Sequence, residues 1–165
     1  MAKIDELVKD FLSKKKIAVV GVSDKRETGC NMAYKKFKAT GHQVYAVNPH
    51  ITEFEGDPCF PDLKSLPEKP AAVFLLTNPT VTDQIIQQCV DLDIKHVWMH
   101  CMMGTRPGMG TGTSSVSADA VRLCRENGIS IIPGSCPNQF IQPDPGHGLM
   151  RSLFRLFGFL KVEQG

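Results

Sequence analysis

The chain has 165 residues, 42% of them hydrophobic and 22% charged, which suits one domain with a sizeable core and excludes disordered and fibrous classes. With 19 basic residues against 17 acidic ones the formal net charge is +2, so nothing points to nucleic acid or an anionic membrane as partner. No apolar stretch approaches the ~20 residues that span a bilayer.

In chain order, Ile4, Leu7, Val8, Phe11 and Leu12 recur at helical spacing and predict a helix over about residues 3–13. Its alternation of charged and apolar residues reads as an amphipathic helix and no signal peptide. The basic run Lys14-Lys15-Lys16 reads as a solvated connection. Ile17-Ala18-Val19-Val20, ending at Gly21, is a short apolar run of the kind that forms a buried strand. Cys30, Ala33, Tyr34 and Phe37 give the face of a second helix closed by Gly41, and Val44 to Val47 form the second strand. Residues 48–70 carry five prolines and Gly56, so the crossover is expected to be irregular with at most a short helical piece.

Ala72 to Leu76 is the third strand, and a helix follows from about Thr80 with Val81, Ile85, Cys89 and Leu92 on one face. Val97-Trp98-Met99 is the fourth strand and Ile129 to Ile132 the fifth. Between them lie a Gly- and Thr-rich loop, residues 101–113, and a helix with Val116, Ala120, Leu123 and Cys124 inward, for which Ser114, Ser115 and Ser117 are candidate caps. The loop reads as a flexible surface connection, with closure over a ligand as the alternative. Leu149, Met150, Leu153, Phe154, Phe157 and Leu160 predict a last amphipathic helix over about residues 148–160.

Short apolar strands alternating with amphipathic helices imply βαβ units: an α/β, Rossmann-like, doubly wound five-stranded parallel sheet in the order 3-2-1-4-5, with helices on both faces. No repeat or long linker divides the chain, so residues 1–165 are expected to form a single domain with its core at about 15–140. In such a sheet ligands bind outside the carboxyl ends of the strands, where the order reverses, here between strands 1 and 4.

After strand 1 come Gly21, Ser23, Asp24, Lys25 and Arg26, and a helix starting near Gly29. A sharp turn, a hydroxyl, two cations and unpaired helix amides suit a phosphate or diphosphate, although an ordinary polar loop has the same look. The dinucleotide fingerprint G-x-G-x-x-G is absent, and after strand 2 stands Asn48-Pro49-His50 where an NAD site wants an acid. A Walker A lysine is also missing.

The stretch IAVVGVSDKRETGCNMAYKKFKATGHQVYAVNPHITEFEGDPCFPDL resembles the stand-alone CoA-binding domain family, itself similar to the N-terminal domain of the succinyl-CoA synthetase α subunit. The matching features are VVGVS with its short basic loop, the VNP turn, the E-x-G-x-P-C-F-P crossover, strand 3 ending in Leu76-Thr77-Asn78-Pro79, and VW in strand 4. The resemblance covers about residues 15–140. It implies coenzyme A or an acyl-CoA as ligand, with Gly21, Ser23, Asp24, Lys25 and Arg26 at the phosphates. It sets Asn48, Pro49 and His50 beside the adenosine end and Leu76, Thr77 and Asn78 at the adenine and ribose. Family members often carry lysine after the VNP turn; here it is His50. The synthetase's phosphohistidine lies in a second domain that this chain lacks, so a binding or regulatory module with no catalytic residue of its own is the expectation.

Two other classes stay open: an NAD(P)-linked oxidoreductase, and a thiol-dependent acyl-transfer enzyme using Cys136 with His147 or His100 as base. The set His100, Cys101, Cys136 and His147 contains zinc-type ligands, but its spacing matches no metal signature and no metal is expected. Cys101 and Cys136 read more simply as semi-buried thiols at strand ends, and Cys89 and Cys124 as small apolar fillers. The six cysteines contain no C-x-x-C pair, so reduced thiols and a cytoplasmic location are expected. Acyl group, protein partner and oligomeric state are open.

Overall fold

The computed structural model describes residues 3–105 and 114–162. Helix α1 (Ile4–Leu12) leads into strand β1 (Lys16–Val20), helix α2 (Gly29–Ala39) and strand β2 (Gln43–Val47). A hairpin follows, β3 (Glu53–Phe54) and β4 (Asp57–Phe60), then β5 (Ala72–Leu75), α3 (Pro79–Asp91) and β6 (His96–Met99). Helix α4 (Ala118–Glu126), strand β7 (Ser130–Pro133), a single 3-10 turn (Pro137–Gln139) and helix α5 (Pro145–Leu156) complete the chain.

The sheet has seven strands in the order β3-β4-β2-β1-β5-β6-β7, parallel except for the β3–β4 edge. The α/β doubly wound class holds, but strand number and order differ from the expectation. The third strand expected from sequence, now β5, pairs with β1 (Ile17 opposite Ala72), not with β2. The place beside β2 is taken by β4, which pairs Ala46 with Cys59 and Val47 with Phe60. Counted without β3, the parallel strands run 3-2-1-4-5-6, and the reversal falls between β1 and β5. The crossover expected to be irregular therefore contains a strand. Pro58 precedes the first rung with β2, so its missing N–H removes no ladder bond. Glu55 and Gly56, at φ of 52° and 80°, close β3 on β4 as a two-residue turn with both central residues left-handed.

Strand side chains alternate between two cores, as a period of two requires. Ile17, Val19, Phe74 and Trp98 pack against α1 and α2; Ala18, Val20, Val73, Leu75 and Met99 pack against α3 and α4. Both sheet faces are thus covered, which is why these strands read as unbroken apolar runs. Cys89 and Cys124 are buried in the second core.

The helices that follow β1 and β5 start with side-chain caps, Thr28 for α2 and Asn78 for α3, with Pro79 opening α3. Ser117 caps α4, whereas Ser115 is buried and serves the β5 loop. The last helix begins and ends earlier than its apolar spacing suggests, because Asp144 and Pro145 form a cap and first turn upstream of Leu149. Most of the Gly-rich run lies outside the described residues. Among the described residues no helix is long and apolar enough to cross a membrane.

Candidate functional site

At the switch point the loops after β1 and β5 touch. Gly21 has φ of +107°, and a Cβ there would come within 3.0 Å of the Leu76 carbonyl oxygen. Only glycine combines that dihedral with that approach. The chain then passes to α2, whose first N–H groups point out of the helix end without intrahelical partners.

Asn31 holds the basic loop in place. It is 3% exposed; its Oδ1 accepts from Ser23 N (2.9 Å) and Thr28 Oγ1 (3.1 Å), and its Nδ2 donates to Ser23 O (2.8 Å) and Arg26 O (3.1 Å). Ser23 Oγ accepts from Lys25 N at 3.2 Å. This clamp fixes Ser23 to Arg26 against the start of α2, and sequence reasoning did not assign Asn31 to the site. A cleft of about 360 Å³ opens beside it, lined by Ser23 to Glu27, Asn31 and the hairpin residues Glu53, Phe54 and Glu55.

The cleft carries both signs of charge. Among the described residues no carboxylate forms a salt bridge with Lys25 or Arg26. On the hairpin side Lys35 bridges Glu27 (3.1 Å) and Glu55 (3.4 Å). Asp24 and Glu53 add two further carboxylates to the lining. An anion is therefore favoured against the loop and helix end and disfavoured against the hairpin.

The other expected site residues meet at the same sheet edge, but several are engaged by the fold. Asn48 Nδ2 donates to Val22 O (2.6 Å) and Asn48 Oδ1 accepts from His50 N (2.8 Å), which ties the Asn48-Pro49-His50 turn to the loop after β1. Asn78 Oδ1 accepts from Val81 N (3.0 Å) as the α3 cap. Thr77 N donates to Ser115 Oγ (3.0 Å), and the Thr77 and Thr82 hydroxyls lie 2.9 Å apart. The cleft lining holds Ser23 to Arg26 but neither the Asn48–His50 turn nor Leu76 to Asn78. Of the expected site residues, Asp24, Lys25, Arg26, Pro49, His50 and Asn78 are exposed.

The residues read for thiol or metal chemistry form no reactive or metal-binding set among the described residues. His100 is 5% exposed at the end of β6, under α2, and burial pushes its pKa down to about 4. Cys101 N donates to Ser135 O at 3.2 Å. Cys136 is buried, and burial pushes its thiol up, which opposes a reactive thiolate. His147 lies inside the first turn of α5 rather than before it, its Nδ1 2.5 Å from Asp144 Oδ2. No hydrogen bond joins Cys136 to His147 or His100 among the described residues, and no three His, Cys, Asp or Glu side chains there gather as a metal set.

The sequence profile of the family described as CoA binding domain matches residues 15–139. The chain belongs to the CoA-binding domain family. This CoA-binding domain is 27% identical over 81 residues to an ADP-forming acetate–CoA ligase I of Archaeoglobus fulgidus, a match that covers 49% of this chain and 12% of the ligase. The chain therefore spans only a small part of that relative's length. Among solved structures, a hypothetical protein from Pyrococcus horikoshii OT3 is similar at a TM-score of 0.70 and 26% identity, covering 95% of this chain and 94% of that one. A dinucleotide-forming acetyl-coenzyme A synthetase 1 from Ca. Korarchaeum cryptofilum shares the fold at a TM-score of 0.57 and 21% identity, over 71% of this chain and 25% of that one.

Proposed function

We propose that this chain is a CoA- or acyl-CoA-binding module, a cytoplasmic single domain that binds without catalysis of its own. The observation that carries this reading is the basic loop at the switch point, clamped by Asn31 and presenting Lys25 and Arg26, with no salt bridge among the described residues, beside the N-terminal amides of α2. The residues fit the group. Lys25, Arg26 and the α2 amides would hold the diphosphate, His50 would face the 3′-phosphate, and Leu76 would border the ribose and adenine. With Asn48-Pro49-His50 after β2, no acid is available there for the ribose hydroxyls of NAD, so the oxidoreductase reading lacks its contact. The buried Cys136 thiol speaks equally against acyl transfer.

Calorimetric titration with CoA, acetyl-CoA, NAD and NADP tests the proposal. CoA and acetyl-CoA are expected to bind and NAD is not; tighter binding of NAD than of CoA overturns it. Replacing Lys25 and Arg26 together with alanine is expected to weaken CoA binding by about 1–3 kcal/mol, the range for charge-assisted hydrogen bonds. The melting temperature of the free protein should stay put, because neither side chain makes a salt bridge among the described residues. Unaltered affinity would assign the diphosphate to backbone amides alone.

A further inference from the structure

Four buried side-chain atoms have no hydrogen-bond partner among the described residues: His100 Nδ1, Ser135 Oγ, Asn138 Oδ1 and Gln139 Oε1. Folded proteins leave few such atoms, because each loses its hydration without replacement. These four are not scattered. All belong to the carboxyl ends of β6 and β7 and the 3-10 turn that follows, segments joined by the hydrogen bond from Cys101 N to Ser135 O.

The same edge meets α2. His100 follows Trp98 by two residues and so faces the α2 side of the sheet, its ring 6.2 Å from that of Phe74. A Cβ on Gly29 would lie 3.5 Å from His100 Nε2 and 3.3 Å from Leu76 Cδ1, so a bare helix start covers them. Asn138 Nδ2 reaches the sulfur of Met32, at 4.0 Å, while its Oδ1 has no hydrogen-bond partner among the described residues. Within about one turn of α2 lie the Asn31 clamp on the basic loop and the contacts to His100 and Asn138. Ser135 also sits at φ of +69°, a left-handed conformation uncommon for serine, and its hydroxyl bonds to no described residue.

We infer that the ends of β6 and β7 form a polar acyl subsite, in which His100, Ser135 and Asn138 hydrogen-bond the acyl end of a short, hydroxyl- or carbonyl-bearing acyl-CoA. The inference rests on the CoA reading of the basic loop. With its phosphates on that loop, the ligand's long arm crosses the start of α2 and ends over His100. Exposed Met32 supplies adaptable apolar surface along this line. Ser135 donates to the thioester carbonyl oxygen. The neutral His100 ring and the Asn138 carbonyl serve the polar group further along. Trp98 and Phe140 pack edge to face, 5.9 Å apart, in the core on the same side of the sheet.

The experiment is calorimetry with CoA, butyryl-CoA, 3-hydroxybutyryl-CoA and palmitoyl-CoA on the wild type, His100→Phe and Ser135→Ala. The wild type is expected to bind 3-hydroxybutyryl-CoA about tenfold more tightly than butyryl-CoA, the effect of one buried hydrogen bond. His100→Phe should lose that preference, Ser135→Ala should weaken both short thioesters alike, and both variants should keep their affinity for CoA itself. Their ligand-free melting temperatures should equal or exceed that of the wild type, since each loses an orphaned polar group. Equal binding of the butyryl and hydroxybutyryl thioesters by the wild type, or a preference retained by His100→Phe, overturns the subsite while leaving CoA binding intact. Absence of CoA binding by the wild type overturns the reading on which it rests.

Discussion

Replacing Gly21 with alanine is expected to cost roughly 2–6 kcal/mol of folding stability and to abolish CoA binding with it. Two effects add. A dihedral that only glycine adopts readily costs on the order of 1–3 kcal/mol to impose on another residue. The added methyl also falls within 3.0 Å of a backbone oxygen, that of Leu76, which cannot swing away as a side-chain tip would. Overpacking of this kind costs about 1–3 kcal/mol more. Relief requires the loops after β1 and β5 to part, and their approach defines the switch point. Gly41 provides the control: it too has a positive φ, +88°, but a Cβ there meets nothing within 4 Å. Gly41→Ala should lose only about 1–2 kcal/mol, the left-handed backbone cost alone. Thermal melts of both variants test the argument. Equal melting temperatures would show that the Leu76 contact yields freely.

The five strands expected from sequence were legible because a parallel sheet buried on both faces leaves its strands apolar throughout, as in Ile17 to Val20 and Ala72 to Leu75. The sheet order was not, because it turned on β4. Pro58 and Pro61 mask that strand from any pattern search, and its one local sign is the Glu55-Gly56 turn between Phe54 and Asp57. The loops at the carboxyl ends followed from the α/β pattern and lie where that pattern puts them. What side chains do within them did not follow. Asn48 and Asn78 read as ligand contacts, yet the fold uses their amides to tie a turn and to cap a helix. Asn31 was given no role from sequence, yet it clamps the basic loop through four hydrogen bonds. An asparagine looks the same in sequence whether its amide faces a ligand, a helix end or a loop. Only the partners tell them apart.

His100 carries the second large effect. Burial alone pushes its pKa from 6.5 down to about 4 in the folded chain, with no carboxylate to offset the desolvation. In the unfolded chain an imidazole takes up its proton near ~6.5. Between these two values the unfolded state binds the extra proton, so stability falls as the pH drops through that window and is fully retained above it. At about 1.4 kcal/mol per pH unit the loss is about 3 kcal/mol, a sizeable share of a typical domain's stability. The carboxylates act lower. Asp10, held down chiefly by its hydrogen bond from Lys14, and Asp57, held down by Lys38 and Tyr34, contribute stability above the ordinary carboxylate range that is lost only as the pH falls below it. Urea denaturation of the wild type at half-unit steps from pH 7.5 to 4.5 should therefore show a decline, and His100→Phe should be flatter by about 3 kcal/mol across the window. Subtracting the two curves isolates His100 from the other histidines. Superimposable curves would mean that His100 finds a compensating partner when protonated, and would remove the dry polar environment on which the acyl subsite depends.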